Sequence, residues 1–283
     1  MSINLLSLAL PLLMQVGPDP SAGAIPGVPD ELANRPARSV TPAADIDLSP
    51  WLTECLLIID EDPARAHSRA QIRRTQTSGT DRVLANHCLG LASTRLELWS
   101  DAQTAFVAAR DETPASEHAM RARFGAMAAN SALGGGDAAA AIALLDRAGK
   151  DAEASASQEL IAFVALDRGR ALVALDRLEE AGAQLIAARD ARPDDPEIRL
   201  LLATLLRRLG ELDPAQTEIE AAATLAPTDP AIALEGGVIA ILSGREEAAR
   251  KSWNSVIALA PDSVEAGRAR EYLAQLEEGP EAP

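Results

Sequence analysis

Along the chain, small and large apolar positions alternate in a pattern that returns five times. Alanines at Ala102, Ala141, Ala181, Ala215 and Ala249 are separated by 39, 40, 34 and 34 residues. Four residues after each anchor stands a large apolar group: Phe106, Leu145, Leu185, Ile219 or Trp253. Seven after each comes Ala109, Ala148, Ala188, Ala222 or Val256, and twelve before each lies Gly90, Ala129, Gly169, Ala203 or Gly237. Five before, Gly136, Asp176, Gly210 and Gly244 are turn residues, with Glu97 the exception. Twelve after, Pro114, Pro193, Pro227 and Pro261 recur, while the copy around Ala141 has Glu153 there. Small residues at helical spacing let two helices approach closely, and the large residue fills the space beside them. The turn residue ends the first helix. The proline stops the second and can begin the next. Each copy therefore predicts a helical hairpin whose apolar face is covered only when copies stack.

The segments "ATLLRRLGELDPAQTEIEAAATLAP" (203–227) and "GVIAILSGREEAARKSWNSVIALAP" (237–261) resemble tetratricopeptide (TPR) repeats, and "GLASTRLELWSDAQTAFVAARDETP" (90–114) does so more loosely. The resemblance spans residues 82–277. It implies an all-α, right-handed α-solenoid of about five to six helical hairpins with a C-terminal capping helix. The units fall at about 50–77, 82–115, 118–150, 159–194, 196–228 and 230–262, followed by a cap over 263–278 and a tail over 279–283. The first unit is degraded: Trp51, Cys55 and Ile59 lie on its helix A, and Asp62 caps a second helix that begins with Pro63. The 39- and 40-residue spacings imply insertions near 115–120 and 151–158.

Two stretches precede the repeats. The apolar run Ile3–Met14 is too short to cross a bilayer, which needs about 20 residues. It fits the apolar centre of a signal peptide over residues 1–16, although no Lys or Arg precedes it. The reading is a periplasmic or secreted protein; the alternative is a cytoplasmic chain with an apolar tail. Residues 17–49 carry Pro18, Pro20, Pro26, Pro29, Pro36 and Pro42, with Pro50 just beyond, and read as a disordered linker.

Composition narrows the function. Apolar residues make up 47% of the chain but aromatics only 2%, so Leu, Ile, Val and Ala must build the core, which favours helices over strands. A net charge of −16 repels phosphate backbones and anionic lipids, so neither nucleic acid nor membrane insertion of the mature chain is expected. No catalytic constellation and no cofactor is read from the sequence. The chain lacks a nucleophile motif such as GxSxG. The stretch "LGGGDAAAA" (133–141) lacks the lysine of a phosphate loop and falls where the repeat needs a turn. His87 stands beside Cys88, but no CxxC or HxxxH accompanies them, so no metal site is expected.

Cys55 and Cys88 are 33 residues apart, almost one repeat, and occupy similar places on neighbouring A helices. They are a disulfide candidate if both point at the helix seam in an oxidising compartment; the alternative is two buried thiols.

The resemblance further implies that the stacked A helices line a concave groove for a peptide or partner segment. Helical geometry places His87, Leu91 and Arg95 there from the second unit, and Arg123, Ala126 and Asn130 from the third. The fourth supplies Phe163, Leu166, Arg170 and Val173. Leu200, Thr204, Arg207 and Arg208 come from the fifth, and Leu234, Val238 and Ile241 from the sixth. The arginines suggest a trough for an acidic segment or a terminal carboxylate; alternatively they pair with neighbouring acids. The expectation is a non-enzymatic interaction scaffold. The alternatives are a self-assembling solenoid and an accessory subunit of a cell-envelope enzyme or secretion complex.

Overall fold

The computed structural model describes residues 49–278. The signal-peptide and linker readings lie outside the described residues, as does the tail. Thirteen helices and no strands form the described part: α1 Pro50–Glu61, α2 Pro63–Gln76, α3 Thr80–Arg95, α4 Trp99–Glu112, α5 His118–Gly134, α6 Ala138–Ala154, α7 Gln158–Ala174, α8 Leu178–Ala191, α9 Pro196–Arg208, α10 Leu212–Leu225, α11 Pro230–Leu242, α12 Glu246–Leu259 and α13 Val264–Glu278. Each odd-numbered helix up to α11 packs against its even-numbered successor, and each hairpin packs against the next. The fold is an all-α solenoid. None of these helices is long and apolar enough to cross a membrane.

The recurring small and large positions prove to be partners. Phe106, Leu185 and Trp253 press on Gly90, Gly169 and Gly237, where an added Cβ would collide with each ring or side chain. Trp253 is buried, and its indole N–H donates to the carbonyl of Leu234 at 3.2 Å. The same pairing sets Leu145 against the helix of Ala129 and Ile219 against that of Ala203, and all four are buried. Five stacked clusters of such side chains make up a core that runs the length of the solenoid.

The hairpin turns share one backbone solution. Gly136, Gly210 and Gly244 have φ of 81°, 79° and 72°, and Glu97 and Asp176 take φ of 57° and 56° at the equivalent positions. Glu97 is therefore an exception in residue type only. At each turn the N–H after the left-handed residue reaches back to the helix, as Arg177 does to Leu172 and Arg245 to Ala240, both at 2.9 Å. This is the reciprocal closure that satisfies the last carbonyls of a helix.

The longer repeat spacings are absorbed in the helices. α5, α6 and α7 each have 17 residues, whereas α8, α10 and α12 have 14 and α9 and α11 have 13. The addition is about one turn of 3.6 residues, which returns the apolar face to the same side. Without a proline at Glu153, α6 runs on to Ala154, and Ala156 makes the next turn at φ 53°.

Prolines start α9 and α11, and Asp195 and Asp229 cap them through their Oδ1 atoms, which accept from Glu197 at 3.0 Å and Ala231 at 2.8 Å. At the N-terminal end α1 carries Leu52, Cys55, Ile58 and Ile59 inward, but α2 buries only Ala66 and Ala70. Cys55 and Cys88 join α1 to α3 as a disulfide, with Cα atoms 6.3 Å apart.

Candidate functional site

The odd-numbered helices share one incompletely covered stripe. On α5 it is Met120, Arg123, Met127 and Asn130, spaced three and four residues apart and all partly exposed. That spacing keeps them on one face. On α3 the matching stripe is Leu84, His87, Leu91 and Arg95, and on α7 it is Phe163, Arg170 and Ala174 with Asp167 sunk beneath them. Arg207 and Arg208 continue it on α9, and Glu235 and Val238 on α11.

A polar ladder crosses this surface from helix to helix. The Nδ2 of Asn130 on α5 donates to Asp167 on α7 at 2.9 Å. Arg170 pairs with Asp167 at 3.2 Å and reaches on to Glu197 on α9. Arg207 on α9 then meets Glu235 on α11 at 2.6 Å. Asp167 has no exposed surface, and burial pushes its pKa up to about 6 against the opposing pull of Arg170 and Asn130. A buried carboxylate needs such partners, since an unpaired charge away from water is costly.

The remaining arginines differ in their commitments. Arg95 lies 3.6 Å from Asp60 with both side chains largely exposed, and Arg208 is 3.9 Å from the exposed Asp176. Pairs of this kind hold an arginine weakly, at about 0–1 kcal/mol. Arg123 has no carboxylate partner among the described residues, and its buried Nε has no hydrogen-bond acceptor. Arg170 and Arg207 are thus held within the fold, whereas Arg95 and Arg208 are only loosely paired and Arg123 has no carboxylate partner among the described residues.

One open depression gathers several of the expected residues. Gly169, Arg170, Val173, Leu185, Leu201, Thr204, Leu205 and Arg208 line this shallow depression between α7 and α9. Val173 and the leucines give its apolar lining, with Leu185 filling the space beside Gly169. The Thr204 hydroxyl donates to the Leu200 carbonyl at 2.9 Å, which leaves its methyl group for packing.

Other expected groove residues sit deeper. The His87 ring lies 5.1 Å from that of Phe124, edge to face, and 6.4 Å from that of Phe106. Burial in this aromatic nest pushes its pKa down to about 4, so His87 is neutral at pH 7. Ala126, Leu166, Leu200 and Leu234 are buried in the hairpin stack, whereas Leu91, Phe163, Val238 and Ile241 remain partly exposed. Sequence reading missed Asp167, Glu197 and Glu235. An acid three residues before Arg170 was a visible signal. The other two lie on the next helix, 27 and 28 residues beyond their arginines, where only the repeat period brings them close.

No family model matches the chain, and no curated protein matches it. Solved structures do. A type IV pilus biogenesis factor, PilW, superposes over 78% of this chain and 98% of its own, with TM-score 0.62 and 18% identity. PilF of Pseudomonas aeruginosa covers 79% of this chain and 95% of its own at TM-score 0.61 and 16% identity. A thermophilic TPR protein of Thermus thermophilus covers 68% of this chain and all of its own at 0.54 and 21%. These identities establish a likeness of architecture: the chain folds as the tetratricopeptide-type solenoids do.

Proposed function

We propose that this protein is a non-enzymatic interaction scaffold that holds an extended segment of a partner protein across its odd-numbered helices. The observation that carries this reading is the partly exposed stripe shared by the odd-numbered helices, with a shallow apolar depression beside Arg208 between α7 and α9. An apolar side chain laid against it gains burial, and Arg208 supplies donors for a carboxylate beside it. Neither Arg170 nor the polar ladder is free for this task, so Arg208 carries the charge recognition at that point. Val238, partly exposed on α11, extends the surface along the solenoid.

The compartment belongs to the same proposal. The apolar run Ile3–Met14 and the paired cysteines both favour export, because disulfides persist in oxidising compartments. An envelope setting also agrees with the architecture shared with PilW, although a shared fold does not fix a role.

Site-specific photo-crosslinking in cells tests the surface. A photoreactive residue at Ala174 or Val238 on the inner stripe should capture a partner, and one at Ile186 on the outer face of α8 should not. Capture from Ile186 alone, or from none of the three, overturns the proposal.

A further inference from the structure

The first hairpin separates its charges by helix. α1 carries Glu54, Asp60 and Glu61 and no base, whereas α2 carries Arg65, Arg69, Arg73 and Arg74 and no acid. With Asp62 between the helices, four acids balance four arginines, in a chain whose net charge is −16. Glu54, Leu57 and Glu61 are spaced three and four residues apart on α1, and Arg65, Arg69 and Ile72 four and three apart on α2, so each set lies on one face. Two ion pairs, Glu54–Arg69 at 2.8 Å and Glu61–Arg65 at 3.9 Å, set these two stripes side by side. They lie opposite the positions that α1 and α2 turn into the core, which are Leu52, Cys55 and Ile59 and then Ala66 and Ala70.

Two large apolar side chains stand open on this face: Leu57 is 64% exposed and Ile72 56%. The Cys55–Cys88 bridge holds α1 against α3, so the face sits on a fixed support. Two chains of charge −16 repel wherever acids predominate, but at this hairpin the signs balance. The face is also its own complement. A two-fold axis running along the hairpin lays α1 of each copy over α2 of the other and keeps every residue at its own height. Glu54 and Glu61 stand level with Arg69 and Arg65 of their own chain, so they meet the same arginines of the second copy. Leu57 and Ile72 of both copies are covered in the same contact. The other end of the solenoid offers no such match, because α13 mixes Glu265, Glu271 and Glu277 with Arg268 and Arg270 along one helix.

We propose that two copies of this chain associate through the outer face of the first hairpin, with α1 of each laid on α2 of the other, as an isologous dimer. The two helices have 12 and 14 residues, so the face is about 20 Å long. An interface of that extent falls below about 1,200 Å² in total and belongs to weak, reversible association. The contact uses none of α5 to α11, so the dimer carries two inner stripes and holds two partner segments at once, with the gain in avidity that linkage brings. The dimer itself does not rest on the groove reading, and either can fail alone.

Sedimentation velocity on the full chain, from low to several hundred micromolar, tests this. The wild-type chain should pass from monomer to dimer across that range. Glu54→Arg with Glu61→Arg makes both stripes basic, and Arg65→Glu with Arg69→Glu makes both acidic. Each variant alone should stay monomeric, and an equimolar mixture of the two should dimerise again. Exposed ion pairs contribute about 0–1 kcal/mol each, so both variants stay folded. Leu57→Ser, at an exposed site, should weaken association about tenfold with an unchanged melting temperature. A wild-type chain that stays monomeric throughout overturns the proposal. So does either charge variant that associates alone as tightly as wild type, which places the contact elsewhere, the apolar run Ile3–Met14 included. A mixture that stays monomeric overturns the laying of α1 on α2, and a Leu57→Ser chain that associates like wild type overturns the face.

Discussion

Gly237 shows how narrowly a single position is fixed. Its missing side chain is the space that the Trp253 indole occupies, and the ring is tied to the Leu234 carbonyl. The ring cannot yield without breaking that bond, so Gly237→Ala should destabilise the protein by about 2 kcal/mol, a typical overpacking cost. Urea unfolding checks this; a midpoint equal to wild type contradicts the fit. The pairing was legible in sequence as a small residue sixteen before a large one, but nothing there said that the two touch.

His87 and Asp167 were not legible as titrating groups, because their burial comes from other repeats. His87 has a folded pKa of about 4, below the ~6.5 of an unfolded chain, so the unfolded state binds the extra proton between those values. Its contribution to stability is complete above pH ~6.5 and is lost as pH falls toward 4. Asp167 acts in the opposite sense. Its folded value of about 6 lies above the ~3.9 of the unfolded state, so the folded state holds the extra proton between them. It therefore lowers stability as pH rises through that window. The two effects offset each other in the wild type. His87→Leu removes one of them and should gain about 2–3 kcal/mol relative to wild type between pH 7 and pH 4.5. Urea titrations at the two pH values measure this, and a pH-independent difference contradicts it.

At the scale of elements, the hairpin is the unit that the sequence specifies. Small residues, a left-handed turn and a terminating proline predict two helices and the direction of their packing. Insertions of about one turn keep the apolar face in register, which is why the unequal spacings still give a continuous stack. The acid-to-arginine ladder was hidden, since its rungs join different hairpins. Among the described residues the first hairpin has a neighbouring hairpin on one side, and α2 buries only two alanines. The Cys55–Cys88 bridge closes a 33-residue separation and should contribute about 3–4 kcal/mol by restricting the unfolded chain. Adding a dithiol reductant should therefore speed amide exchange in α1 and α2 while α7 to α12 stay protected. Equal protection of α1 and α2 with and without reductant contradicts the staple.

At the scale of the whole molecule, the chain is strongly acidic and the stripe on the odd-numbered helices mixes apolar groups with arginine. The net charge of −16 repels other anionic polymers in general, and the proposed surface is where arginine donors offset it. Helical spacing picked partly exposed positions at Arg123, Asn130, Phe163, Arg170 and Val238, but Val173, Thr204 and Leu234 from the same reading are buried. It could not show that Arg170 and Arg207 are already occupied and Arg123 is not, because that depends on which acids the neighbouring hairpins bring within reach. The central claim is that a partner segment lies across the odd-numbered helices. Hydrogen–deuterium exchange with and without a selected peptide tests it most directly: the account predicts added protection in α5, α7 and α9 with α6, α8 and α10 unchanged. Protection confined to α6, α8 and α10 would contradict it.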